Sequence, residues 1–155
     1  MKKLLLIVIF VSAHAWATGK RPPPEILKIK LGMSSEKAHS RLNRIGRFKS
    51  EDEGQEVWTL NHDKHYEYVI VGFDRDHKVR YVTVLARSGG PPVSYEDVGD
   101  LSSAARFGQP GNLRYTWTLS DKKDHLEYVA TVKGRGLHRL DRYSVKRLGV
   151  QAEED

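Results

Sequence analysis

Hydrophobic positions run through one programme twice along the chain. Leu27, Ile29 and Leu31 alternate with Lys28 and Lys30, the period of an extended segment. Gly32-Met33 breaks that alternation, and Ser34 is a good N-cap with Glu36 in the following turn. Ala38, Leu42 and Ile45 then fall at i, i+4 and i+7, which predicts a helix with one apolar stripe, closed by Gly46 at the C′ position. Three strand signals follow, at residues 56–60, 66–73 and 78–85, with Asp74-Arg75-Asp76-His77 as a tight turn between the last two. Strands joined this closely are antiparallel neighbours. The punctuation Arg87-Ser88-Gly89-Gly90-Pro91-Pro92-Val93 interrupts the pattern, and then it resumes. Ser94 caps, Asp97 completes an approximate capping box, and Val98, Leu101 and Ala105 make a stripe weakened by Gly99 and closed by Gly108 and Pro110. Strand signals return at residues 113–119, 126–132 and 137–143, with Lys133-Gly134-Arg135-Gly136 as a turn.

The two passes echo in detail, about sixty residues apart. Trp58-Thr59-Leu60 and Glu67-Tyr68-Val69 in the first answer Trp117-Thr118-Leu119 and Glu127-Tyr128-Val129 in the second. A shared helix end, strand order and turn position imply an internal repeat. The expected fold class is α+β: two tandem units, each a helix plus a three- or four-stranded antiparallel sheet, with the helices packed on one face of a continuous sheet. The expected segments are a signal peptide (1–17), a proline-rich lead-in without core content (18–24), unit one (25–86), a Gly/Pro linker (87–93), unit two (94–148) and an acidic tail (149–155). Within unit two, Leu113, Tyr115, Trp117 and Leu119 share one strand face, as do Leu126, Tyr128, Ala130 and Val132. Periodic aromatics of this kind usually pack, so this face is expected beneath the helices.

Gly32-Met33-Ser34-Ser35-Glu36-Lys37-Ala38, the helix end at Gly46, the Trp strand, and Val71-Gly72-Phe73-Asp74-Arg75-Asp76-His77-Lys78-Val79 together resemble the β-lactamase-inhibitor-protein-like fold and the SmpA/OmlA outer-membrane assembly lipoproteins. The second pass supplies Gly108-Gln109-Pro110, similar to the family's helix end. The resemblance covers most of the chain beyond residue 17 and implies a fold used for binding proteins in the cell envelope. The chain has no cysteine for lipid attachment.

Composition and charge then narrow the function. Lys2 and Lys3, the apolar run 4–11 and the small residues Ala13, Ala15 and Ala17 have the layout of a cleavable secretory signal, with cleavage after Ala15 or Ala17. The stretch is shorter than the roughly 20 residues of a spanning helix. A periplasmic or secreted protein without a stable membrane anchor is expected. The absence of cysteine rules out disulfides and thiolate metal sites, so the fold must stand on its apolar core. The formal charge is +6, or +4 without Lys2 and Lys3, and basic and acidic residues are interspersed. A clustered basic footprint for nucleic acid is not legible, and no nucleic-acid partner is expected.

No nucleophile elbow or phosphate loop is present, so the chain is read as not an enzyme and as needing no cofactor. His62-Asp63-Lys64-His65 is the strongest candidate for metal chemistry, and a small metal-dependent enzyme built on His62 and His65 is the alternative from another class. The histidines lie in a polar loop and lack structural zinc spacing, which favours a solvated loop. The sheet face opposite the aromatics is expected to carry Glu67, Arg80, Arg114, Glu127 and Arg139 as a protein-binding surface. The expected function is an exported, non-enzymatic protein-binding module of the bacterial cell envelope, whose partner is another envelope or secreted protein. A secreted or periplasmic enzyme inhibitor is the alternative within binding proteins.

Overall fold

The computed structural model describes residues 19–149. The expected signal peptide, and residues 150–155 of the expected acidic tail, lie outside the described residues. In chain order the elements are β1 (Glu25–Ile26), β2 (Ile29–Lys30), α1 (Ser35–Ile45), β3 (Gly46–Asp52), β4 (Gln55–Leu60), β5 (Tyr66–Phe73), β6 (Val79–Ala86), α2 (Tyr95–Val98), a 3-10 turn (Leu101–Ser103), β7 (Ala105–Gln109), β8 (Asn112–Asp121), β9 (Leu126–Gly134) and β10 (Arg142–Arg147). β1 and β2 form a small hairpin, and the other strands form one eight-stranded antiparallel sheet in the order β3-β4-β5-β6-β10-β9-β8-β7. Two meanders therefore meet along a seam between β6 and β10.

This overturns the expectation of two helix-plus-sheet tandem units. The described residues are mostly strand, 51% against 14% helix, and among them one helix is longer than two turns. The second stripe fails as a helix at Gly99. A Cβ there would lie 2.8 Å from Pro22 Cδ and 3.1 Å from Trp117 Cε2, so the backbone at this point is pressed against the core. The Trp117 Nε1–H donates to the carbonyl of Asp100 at 2.9 Å, an acceptor that a continuing helix would use internally. The Asp100 carboxylate then caps a fresh 3-10 turn by accepting from the Ser102 N–H at 3.0 Å. Residues 105–109, expected inside the helix, are strand β7.

α1 follows its sequence signals at the start and departs from them at the end. Ser34 caps it, Ala38 and Leu42 are buried, and Arg44 lies in the last turn, where a cation suits the helix dipole. Gly46 is extended (φ −158°) rather than left-handed, and it opens β3. Its lack of a side chain serves close approach, since a Cβ there would lie 2.5 Å from the Thr59 carbonyl oxygen on β4.

Register places the core on one face. Trp58, Val69, Val84, Tyr143, Val132 and Tyr115 form one row across the strands, and Val71, Val82, Val145, Ala130 and Trp117 form the next. Three pieces join this face in one cluster: Ala38 and Leu42 of α1, Ile26 and Ile29 of the small hairpin with Leu31, and Tyr95 and Val98 of α2. His39 ties α1 to β4, its Nε2 lying 2.8 Å from the Glu56 carboxylate, which also accepts from Trp58 Nε1–H at 2.9 Å. The Tyr95 ring packs 5.3 Å from Tyr115. The lead-in also has core content, contrary to expectation. Pro22 is buried, and its carbonyl accepts from the Tyr128 hydroxyl at 2.6 Å.

Candidate protein-docking face

Strand alternation aims the intervening side chains at the other face of the sheet, and no element among the described residues packs against it. One row there reads Arg47, Thr59, Tyr68, Leu85, Arg142, Lys133, Arg114, Phe107. The next reads Ser50, Val57, Ile70, Thr83, Ser144, Thr131, Thr116, Ala105. At the usual strand spacing a row crosses about 34 Å, and six residues of strand give about 20 Å in the other direction. That is near the roughly 800 Å² a standard interface takes from each partner.

An apolar patch lies on this face, mainly over β4, β5 and β6. Val57, Tyr68, Ile70, Tyr81, Leu85 and Val129 are half-buried, and Thr83 is only 2% exposed although no element covers it. Tyr81 lies over Gly72, where a Cβ would collide with its ring, and its hydroxyl donates to Gln55 Oε1 at 2.9 Å. Burial raises the Tyr81 phenol above its ordinary value, while the neighbouring Arg80 and Arg142 guanidiniums oppose that shift.

The flanks are cationic. Arg47 and Lys49 stand on the β3 side, and Lys49 Nζ sits 4.4 Å above the Tyr68 ring centroid. Arg142, Lys146, Lys133 and Arg114 stand on β10, β9 and β8, and Arg114 lies 4.7 Å from the Phe107 ring centroid. No ion pair among the described residues includes any of these cations; the pairs formed are Lys30–Asp124, His39–Glu56, Arg135–Asp141 and Arg147–Asp74. Acidic groups reach this face at its margins, with Asp52 opposite Gln55 and Glu127 opposite Ser120.

Of the residues expected here, Arg114 and Glu127 project from this face. Glu67 and Arg80 fall at the two register shifts in the β5–β6 pairing, and Arg80 sits close enough to act on the Tyr81 phenol. Arg139 is elsewhere. It lies in the loop before β10, bridged to Ser94 beside α2, because the last strand begins at Arg142 rather than near residue 137. That shift, and a β9 that runs on to Gly134, conceal Arg142, Lys146 and Lys133 from a reading by periodicity. The alternation Arg142, Ser144, Lys146 against Tyr143 and Val145 is the signal that marks the two cations of β10.

The His62–His65 loop is built around backbone contacts. Asp63 Oδ1 accepts from the N–H groups of His65 and Tyr66, each at 2.8 Å. The Arg87 guanidinium donates to the carbonyls of Leu60 and Asp63 at 3.0 Å and of Tyr66 at 3.2 Å. His62 and His65 are exposed, and no three His, Asp or Glu side chains among the described residues gather as a metal site.

Among the described residues no helix is long and apolar enough to cross a membrane. No protein-family model and no curated protein matches the chain. Among solved structures it is similar to an extracellular protein containing an SCP domain from Bacillus anthracis str. Ames, at TM-score 0.42 and 18% identity, over 94% of this chain and 49% of that one. The chain thus spans about half that neighbour's length, and at that TM-score the likeness carries no argument.

Proposed function

We propose that this chain is an exported, non-enzymatic binding module of the bacterial cell envelope, and that it docks another envelope or secreted protein on the open face of its sheet. The observation that carries this reading is the composition of that face. A half-buried patch of Tyr68, Ile70, Leu85 and Val57 on β4–β6 is flanked by cations without acidic partners among the described residues. An apolar patch bordered by charged residues matches the pairing of apolar core and polar rim found in protein interfaces. The signal-like residues 1–17 support export to the periplasm or beyond. The resemblance of residues 32–38 and 71–79 to the β-lactamase-inhibitor-protein-like and SmpA/OmlA proteins also supports a binding role.

Site-specific photocrosslinking in cells tests the assignment. A photoreactive phenylalanine analogue replaces Tyr68 on the open face or, as control, exposed Asn43 on α1. A discrete adduct with one protein from position 68 and none from 43 is expected. Adducts from position 43 alone would move the interface to the helix side and refute this face. If the captured protein is an enzyme blocked by stoichiometric complex formation, the module is an inhibitor.

A further inference from the structure

On one side of the seam, three neighbouring strands carry cations at a single register. Arg142 stands opposite Lys133 across β10 and β9, and Lys133 stands opposite Arg114 across β9 and β8. Adjacent strands are about 4.8 Å apart, so three positive side chains emerge side by side. Like charges directly opposite one another destabilise a sheet. No acidic group among the described residues pairs with any of the three, and Arg114 is held over an aromatic ring instead. The fold thus maintains a repulsive ladder that a bound anion would relieve.

We propose that the Arg142–Lys133–Arg114 ladder binds successive carboxylates of an acidic polypeptide segment on the docked partner, an inference that rests on the docking-face reading above. The spacing suits it, because acidic side chains one turn apart on a helix stand about 5–6 Å from each other. The neighbouring Leu85 and Ile70 give apolar side chains of the same segment a place to pack. Single-stranded nucleic acid fits less well, since it is held by aromatic faces free to stack on bases. Here Lys49 covers Tyr68, Arg114 lies against Phe107, and Tyr81 lies down on Gly72.

The test titrates the purified chain with fluorescent poly-L-glutamate, and separately with oligothymidylate of equal charge, at low and moderate salt. The variants are Lys133→Glu with Arg142→Glu, and a control pair of equal charge change, Lys122→Glu with Lys123→Glu, in the exposed β8–β9 turn. Poly-L-glutamate should bind the natural chain more tightly than the oligonucleotide. Its affinity should fall at least about tenfold in the ladder variant and stay near the natural value in the control, because each reversal turns a contact attraction into repulsion. Lys133→Glu alone places opposite charges beside Arg114 and Arg142. That variant should melt no lower than the natural chain, so a loss of binding in it is not unfolding. An equal loss in the control pair would reduce the effect to net charge and overturn the ladder. Tighter binding of the oligonucleotide would overturn the polypeptide assignment. No binding of poly-L-glutamate at low salt would overturn it too, leaving the docking face to be decided by the position-68 crosslink.

Discussion

Replacing Tyr143 by phenylalanine removes a single oxygen from the middle of the core. Tyr143 stands in the row between Val84 and Val132, is 7% exposed, and has a fully buried hydroxyl without a hydrogen-bond partner among the described residues. A buried hydroxyl left unpaired costs about 1–3 kcal/mol of desolvation. The space vacated by one oxygen is smaller than a methylene, so the packing loss stays below about 1 kcal/mol. Tyr143→Phe should therefore stabilise the protein by about 1 kcal/mol, a rise of about 3–5 °C in Tm for a domain of this size. Urea denaturation at neutral pH, followed by tryptophan fluorescence, would read this as a higher midpoint with an unchanged slope.

The same substitution has a signature in alkali. Burial raises the Tyr143 phenol well above its ordinary value of 10.0, and burial pushes Tyr66 up to about 12. A phenol raised in the folded state contributes stability that is complete below its unfolded value and is lost as pH climbs through the folded one. Stability should hold up to about pH 10 and decline above it, and Tyr143→Phe should make that decline shallower. A variant less stable than the natural chain by more than about 1 kcal/mol at neutral pH would show that the hydroxyl is hydrogen-bonded, and would refute the reasoning.

Two further substitutions probe the architecture. Gly99→Ala drives a methyl group against the Pro22 ring and the Trp117 indole. It should cost about 1–3 kcal/mol by overpacking, read by chemical denaturation together with a shift in tryptophan emission; an unchanged midpoint would mean that the segment yields freely. Arg87→Met removes the donors to the Leu60, Asp63 and Tyr66 carbonyls. It should cost about 2–3 kcal/mol and speed amide exchange in residues 61–66; exchange as slow as in the natural chain would deny Arg87 its role in the loop.

Central strands were legible because burial imposes a period on them. β5 and β8 carry Val69 and Val71, and Leu113 and Trp117, at alternate positions, and the Trp58 and Trp117 strands occupy matching places in the two meanders. Edge strands impose no such period. In β7 every residue is exposed, and in β3 every residue after Gly46 is, so neither offers an apolar alternation to read. Leu137, Leu140 and Tyr143 draw the last strand too early, because Leu140 is buried from a loop rather than from a strand. Displacing that strand also misplaces Arg139 and conceals Arg142. Spacing alone predicts the second helix. What stops it is contact between segments distant in the chain, Pro22 and Trp117 at Gly99, which no local pattern contains.

The last strand in chain order, β10, is inserted at the centre of the sheet between β6 and β9. Until residues 142–147 have been synthesised, the two meanders have no shared ladder, and each exposes along its inner strand the backbone groups that β10 will occupy. Final assembly must therefore wait until residue 147 has emerged from the ribosome. Closure joins Arg142 to Leu85 and Lys146 to Tyr81, pairings far apart in sequence and accordingly slow to form. Until then the sheet is two separate ladders whose inner strands, β6 and β9, stand as open edges.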